Sequence, residues 1–492
     1  MKVTDLTANL INIRIVTAIF SLLLSLFAFY TDDIINRDGV MYMDMAEAFL
    51  SGGLVATAKI YNWPFFSVLV AFTHQITGFT LEYSACILNS LLFVLLTDIL
   101  ILLSNKLLPN TRQLSIAAIL ILCFPAINEY RDFIIRDIGY WTFCSLALYR
   151  FILYIDTPTI KNATFWQITA VIAILFRIEG AIILLALPLF ILMTRQPVTQ
   201  RLLQLVQLNY LLISGLVIAS TLAIGQIGFT QAFGKLATVT AYANTDALIA
   251  TFNKKTVILE TRILNRFSAD YSSLILISGF LVMLFYKLTK ALSLGYIALY
   301  IASWWKKQPP NNHPYFGLLL YFSVINLVIL VTFIAKQYFI VDRYTVMMLI
   351  SLLLLMLPRL CQIIESIWLS QNKKLKYFVC LVLLLTLVDS VTHSNSKSYI
   401  KDTAIWASQN LPIESTVLTN DEFIRYYFHS HQGKSTLIEG NINHYKKYDY
   451  LIVVEKRRNL KLKDQLKTLT IESIFSIEGK RENQASIYKV IY

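Results

Sequence analysis

Charge is what this chain most lacks. Only 15% of its 492 residues are Asp, Glu, Lys or Arg, against about 25% in soluble globular proteins. The deficit lies in long apolar runs, which excludes a wholly soluble chain and implies a polytopic membrane protein. Cysteine is scarce too: Cys86, Cys123, Cys144, Cys361 and Cys380 all fall in or beside apolar runs, and the polar tail has none. Without zinc-type spacing they read as small buried hydrophobes. There is no Walker-type loop and no GxGxxG, so soluble nucleotide binding has no support. The six histidines lack metal-like spacing except His429-x-His431, which reads as a surface pair in the tail. Basic residues outnumber acids by 43 to 30, yet they are scattered between apolar runs, so no nucleic-acid partner is expected.

What is present is apolar length. A crossing needs about 20 apolar residues, fewer where a helix is kinked. Candidates are 10–30, 82–105, 112–128, 138–155, 164–177, 180–194, 205–229, one within 271–305, 314–335, 343–358 and 376–392. The first ends in Leu-Phe-Ala-Phe-Tyr, with no cleavage site, and reads as an uncut helix. These make about eleven crossings, an odd number, so the termini fall on opposite sides. One set of loops holds Lys106, Arg112, Lys161, Arg195, Arg201 and Lys373, with Asp156 and Glu365 as its acids. The excess of Lys and Arg makes that side cytoplasmic. The other side holds Asp32, Asp33, Asp38, Glu129, Asp137, Glu179 and Asp342 and is external. The expected location is the cell inner (cytoplasmic) membrane, with the N-terminus cytoplasmic and the C-terminal domain periplasmic. Loop 230–270 resists the rule, being external yet basic; with Tyr242 and Asn244 it reads equally as a lid or a connector. Trp304-Trp305-Lys306-Lys307 reads as an interface anchor.

Two domains follow. Residues 1–392 form a membrane domain whose first external loop spans 31–81, with 62–80 lying along the interface. Residues 393–492 are polar and alternate β-rich runs (415–419, 448–454, 470–475, 486–491) with helical ones (399–409, 421–429, 460–467). That alternation predicts a small external α/β domain.

Membrane-edge charges are the candidates for chemistry, because burying them is costly. Asp38 follows the first crossing, in Arg37-Asp38-Gly39-Val40-Met41-Tyr42. A helix starting at Asp38 or Gly39 would favour the ionised carboxylate through its dipole and free amides. Such a carboxylate can take a proton from an attacking hydroxyl; the plain alternative is an N-cap on a surface helix. Tyr42 lies one turn on, Asp44 and Glu47 fall on a different, solvated face, and Gly52-Gly53 ends the helix. Arg131, Arg136, Arg177, Lys336 and Arg343 lie at external helix ends, where cations can meet a lipid phosphate. The alternative is pairing with Asp132, Asp137, Glu179 and Asp342.

The pattern Arg37-Asp38-Gly39-x-x-Tyr42-x-x-x-Ala46, with Gly52-Gly53 after it, resembles the first external loop of the GT-C class of integral-membrane glycosyltransferases. It is most similar to the branch of the family 39 protein mannosyltransferases, the family 83 aminoarabinose transferases and related bacterial lipopolysaccharide sugar transferases. Tyr61-Asn62-Trp63-Pro64 stands where families 39 and 83 carry an acidic-Lys-Pro-Pro element. Asp137 resembles the second external acid of the class, Arg177-Ile178-Glu179-Gly180 its Arg/Lys-x-x-Gly turn, and Lys336-Gln337-Tyr338 with Asp342-Arg343-Tyr344 its late basic-Tyr element.

The resemblance implies a GT-C-like fold of α-helical membrane spans with external juxtamembrane helices, and a soluble α/β tail. It implies sugar transfer, with inversion, from a polyprenyl-phosphate-linked donor to a hydroxyl of a glycolipid, lipopolysaccharide or, less readily, a protein. In that reaction Asp38 is the base, with Asp32 and Asp33 as fallbacks, and Asp137 is a second catalytic acid. Arg177, Arg343, Arg136 and Lys336 bind the donor phosphate, while Tyr42, Tyr344 and Glu179 position substrate. Families 39 and 83 imply no cofactor and no metal, other GT-C branches need a divalent ion, and the sequence leaves both open. The competing readings are a lipid-linked glycan flippase and a non-enzymatic envelope assembly protein. A transporter would want midplane charges and inverted repeats; here charges sit at the edges and no repeat is visible.

Overall fold

The computed structural model describes residues 3–225, 245–305, 313–392, 397–431, 433–457 and 459–491. Residues 226–244, with Tyr242 and Asn244 of the expected lid or connector, and Lys306 and Lys307 of the expected anchor lie outside the described residues. The chain forms two compact units: one of 1–23, 90–130 and 136–391, the other of 24–89, 131–135 and 392–492.

Helices dominate. In chain order they are α1 (Val3–Thr31), α2 (Arg37–Ile60), α3 (Phe65–Thr77), α4 (Leu81–Leu107), α5 (Thr111–Leu122), α6 (Pro125–Asn128), α7 (Asp137–Asp156), α8 (Ile160–Phe176), α9 (Gly180–Ala186) and α10 (Val198–Gly225). There follow α11 (Thr245–Arg262), α12 (Ser272–Leu292), α13 (Leu294–Trp305), α14 (Phe316–Gln337), α15 (Asp342–Leu369) and α16 (Lys373–Val391). Among the described residues six helices are long and apolar enough to cross a membrane: Asn9–Thr31, Leu81–Leu107, Asp137–Asp156, Ala269–Leu292, Phe316–Gln337 and Asp342–Leu369. The chain is a multi-pass membrane protein.

The first unit is held by small polar residues and aromatic pairs between helices. Ser21 of α1 bonds Thr97 of α4 at 2.9 Å, and Arg14 clasps Asp98 at 2.6 and 2.7 Å. Small side chains let helices approach closely in an apolar setting, and the polar pairs satisfy each other. Helices α7 and α8 form an antiparallel hairpin, with Phe143 stacked on Phe176 and Phe151 against Trp166.

Several expected spans are interrupted for identifiable reasons. The run 112–128 splits because Phe124 precedes Pro125 and takes an extended conformation (φ −76°, ψ 112°), ending α5 at Leu122. The run 180–194 turns from α to 3-10 geometry at Leu187-Pro188. Within 271–305 the chain breaks at Ser293 (φ 62°), separating a 21-residue helix from a 12-residue one. Lys287 and Lys290 of α12 pair with Asp342, whereas Trp304 of α13 stacks under Arg359. The chain therefore passes from the start of α15 to its far half within α13. The segment 62–80, expected along the interface, contains the 13-residue α3.

The second unit joins the α2–α3 pair to the tail. Its five-stranded sheet comprises β1 (Thr416–Thr419), β2 (Thr436–Glu439), β3 (Tyr450–Glu455), β4 (Ile471–Glu478) and β5 (Gln484–Val490), in the order β2-β1-β3-β5-β4. β2, β1 and β3 run parallel, while β5 is antiparallel to both β3 and β4. Helices α17 (Ser398–Asn410), α18 (Glu422–Ser430) and α19 (Leu460–Leu466) complete the domain. Ile442, Tyr445, Leu462 and Leu466 pack on the sheet face of Leu418, Leu451 and Val453. Trp406 of α17 stacks on Phe475 of β4, centroids 4.2 Å apart. The expected α/β tail is present, with β2 as an additional, unforeseen strand. Only Leu437 of β2 is buried, so its four residues carry no strand pattern of their own.

Candidate functional site

In the second unit, the site candidates lie on α2. The helix begins at Arg37, one residue earlier than expected, with Asn36 ahead of it. Asn36 does not cap the helix with its side chain. Its Oδ1 accepts from the Ile134 amide at 2.7 Å and its Nδ2 donates to the Ile134 carbonyl at 3.3 Å. Asp38 therefore sits in the first turn, half-buried, and not at the N-cap. Gly52 and Gly53 break the helix; Gly53 adopts φ 64° and ψ −160°, which glycine reaches without steric cost, and the helix resumes to Ile60. Tyr42 is buried, its ring 5.0 Å from Phe66 of α3 in an edge-on pair. Glu47 is exposed as expected, but Asp44 does not face solvent. It receives both terminal nitrogens of Arg425 from the tail, at 3.2 and 2.6 Å.

In the first unit, a cleft gathers five candidates: Asp137, Arg177, Glu179, Arg343 and Tyr344. Each lies at a helix end. Asp137 opens α7, Arg177 closes α8, Glu179 precedes α9, and Arg343 and Tyr344 open α15. Gly139 makes this meeting possible. A Cβ there would come within 2.2–2.4 Å of the Phe176 ring, so only glycine lets the start of α7 approach the end of α8. Arg177 is 7% exposed. Its Nη1 donates to Asp137, and its Nε and Nη2 donate to Glu179 at 3.2 and 2.5 Å. Its guanidinium lies 4.4 Å from the Tyr344 ring centroid and 5.8 Å from that of Tyr140. Arg343 approaches the Tyr344 ring at 5.3 Å, and Phe333 packs edge-on against the same ring at 4.7 Å. For Arg177 the pairing alternative is thus what the geometry has. Asp342 likewise pairs, with Lys287 and Lys290.

Arg136, at the residue before α7, and Lys336, in the last turn of α14, are half-buried and do not line the cleft. Tyr140, Trp141, Asn326, Phe333, Met347 and Met348 do line it and were not foreseen. Helical spacing could have found four of them. Tyr140 and Trp141 are three and four residues past Asp137, and Met347 and Met348 stand likewise after Tyr344. The cleft offers carboxylates and guanidiniums beside aromatic faces, a combination that can bond hydroxyls and oppose a phosphate. Among the described residues no group of three or more His, Cys, Asp or Glu is placed to hold a metal.

The electrostatics give one pH prediction. Burial disfavours the Glu179 carboxylate, but the charge and hydrogen bonds of Arg177, with Arg136 beyond, outweigh it and hold the group below its ordinary value. A depressed carboxylate contributes stability above its unfolded pKa of about 4.3, and that stability disappears as pH falls through the folded value. Thermal unfolding in detergent should therefore show an acid-dependent loss below about pH 4. Glu179→Gln should lower the neutral-pH stability and flatten that acid limb. An acid limb identical in the two proteins would refute the assignment.

No family model matches this sequence, and no curated protein matches it. Solved structures do. ArnT from Cupriavidus metallidurans in the apo state superposes with a TM-score of 0.53 at 12% identity, covering 96% of this chain and 97% of that one. The same protein bound to undecaprenyl phosphate gives 0.52 at 11% identity, with the same coverage. The likeness runs nearly end to end in both chains, and the expected GT-C-like architecture with its C-terminal sheet domain is the fold this chain has.

Proposed function

We propose that this protein transfers a sugar from a polyprenyl-phosphate carrier to a hydroxyl acceptor, a glycolipid or lipopolysaccharide, at the external face of the cytoplasmic membrane. The observation that carries the reading is the cleft of Asp137, Arg177, Glu179, Arg343 and Tyr344 at helix ends. Its fold is shared with a protein whose structure holds undecaprenyl phosphate. In this reading residues 1–392 are the catalytic domain and 393–492 an external domain, with the N-terminus in the cytoplasm.

The chemistry is a substitution at the anomeric carbon. The acceptor oxygen forms the new glycosidic bond as the bond from that carbon to the phosphate oxygen breaks, inverting the centre. The acceptor proton passes to Asp38, and the electron pair leaves with the carrier phosphate, which gains negative charge. Fixed cations are worth most where charge develops. Arg343 supplies one in the cleft, with Arg177 as a rigid charge already held by Asp137 and Glu179, and Arg136 and Lys336, outside the cleft lining, are the lesser candidates. Asp137, Glu179, Tyr42 and Tyr344 orient sugar or acceptor.

The test is mass analysis of surface glycolipids from cells lacking the protein, paired with transfer by the purified protein from a carrier-linked sugar. One sugar unit should be missing from the cells and transferred in vitro. Translocation of the carrier-linked sugar without any transfer would replace this reading with the flippase.

A further inference from the structure

The tail helix α18 grips α2 on both sides of Asp38. Ahead of it, the Ile35 amide donates to the Tyr427 hydroxyl at 2.9 Å, and Arg37 pairs with Glu422 at 2.6 Å. After it, Asp44 takes the two-pronged pair from Arg425, whose Nε also reaches Glu439 of β2 at 3.1 Å. Arg37 and Asp44 are seven residues apart and so share one helix face, at about 100° per residue, while Asp38 lies about a third of a turn away from that face. The contacts therefore fix the rotation and height of α2. They differ in weight. Arg37 is 81% exposed, so its pair contributes little. Arg425 and Asp44 are about one-quarter exposed and bonded through two nitrogens, the geometry that defines an orientation.

We propose that the C-terminal domain is a clamp that sets the position of Asp38, and that Arg425 is its positioning residue. This rests on the reading of Asp38 as the base. Arg425 touches no reacting atom; it acts through Asp44 and the backbone of α2. The clamp gives the tail a part in turnover that needs no substrate contact of its own.

The experiment uses the full chain in lipid vesicles, with a carrier-linked sugar as donor, and compares Arg425→Ala, Asp44→Ala, the double variant and Arg425→Lys. A misplacement near 1 Å costs about a hundred-fold in rate, so each alanine variant should lose roughly ten- to a hundred-fold in kcat. KM for the donor should stay within about twofold, since no binding contact is removed. The double variant should fall no further than either single, because both break one link. Arg425→Lys keeps the charge but not the fork and should be intermediate. Hydrogen–deuterium exchange across residues 37–51 should speed up in the alanine variants, a readout independent of sugar transfer. Unchanged kcat, additive losses, or unchanged exchange overturns the clamp. If Asp38→Asn keeps full turnover, the base assignment falls instead, and exchange in α2 still judges the grip by itself.

Discussion

Asp38→Asn should reduce the proposed sugar transfer by about 10²–10⁴-fold, the range a positioned general base supplies. In barrier terms that is about 3–5 kcal/mol. The substitution removes one acid from the first turn of α2, where a carboxylate stabilises a helix by about 0.3–1 kcal/mol. The kinetic effect should therefore dwarf the loss of stability, and that imbalance separates a base from an N-terminal acid that merely suits the helix. Thermal unfolding and donor binding should remain near the parent values while kcat collapses. Asp32 and Asp33 are the controls. Asp33 accepts from the Lys397 amide at 3.2 Å, and Asp32 accepts from the Asp33 amide at 3.0 Å, so both have work in the loop. Burial raises the Asp32 carboxyl above its ordinary value, which makes it the stronger rival. If Asp32→Asn abolishes transfer and Asp38→Asn does not, the proton goes to Asp32.

Much of the fold could be read from the chain because its signals are local. The tail strands other than β2 lie within three residues of their expected ends, since β-branched runs such as Tyr450–Glu455 stand between polar turns. The break before α6 was equally local, as Pro125 is visible in the sequence, yet overall apolarity concealed it. Of the expected site residues, Asp137, Arg177, Glu179, Arg343 and Tyr344 line one cleft at helix ends, while Arg136 and Lys336 do not line it. What escaped was long-range. Asp44 reads as a solvated acid because its partner Arg425 is 381 residues away. For Arg177 the sequence offers both phosphate binding and pairing with Asp137 or Glu179 and does not choose between them; the meeting with Asp137 depends on Gly139 yielding to Phe176. Spacing shows which face a residue occupies, and tertiary packing decides what it meets there.

That packing makes Arg177→Ala the most damaging substitution expected in the first unit. Arg177 neutralises two carboxylates, Asp137 and Glu179, at a position only 7% exposed. Its loss leaves both anions facing each other across a poorly solvated cleft. Breaking a buried ion pair from one side costs about 3–5 kcal/mol, because the remaining charge is uncompensated. Unfolding temperature should drop markedly and transfer should vanish, which by itself would not distinguish a fold defect from lost phosphate binding. The second substitution makes the distinction. Adding Asp137→Asn or Glu179→Gln to Arg177→Ala removes an orphaned charge and should recover a substantial part of the stability, a non-additive result expected for partners in contact. If transfer stays absent in the restored double variant while Asp137→Asn and Glu179→Gln alone retain it, the guanidinium has a part in the reaction beyond holding its carboxylates. If transfer returns with stability, Arg177 is structural, and the donor phosphate is left to Arg343, Arg136 and Lys336.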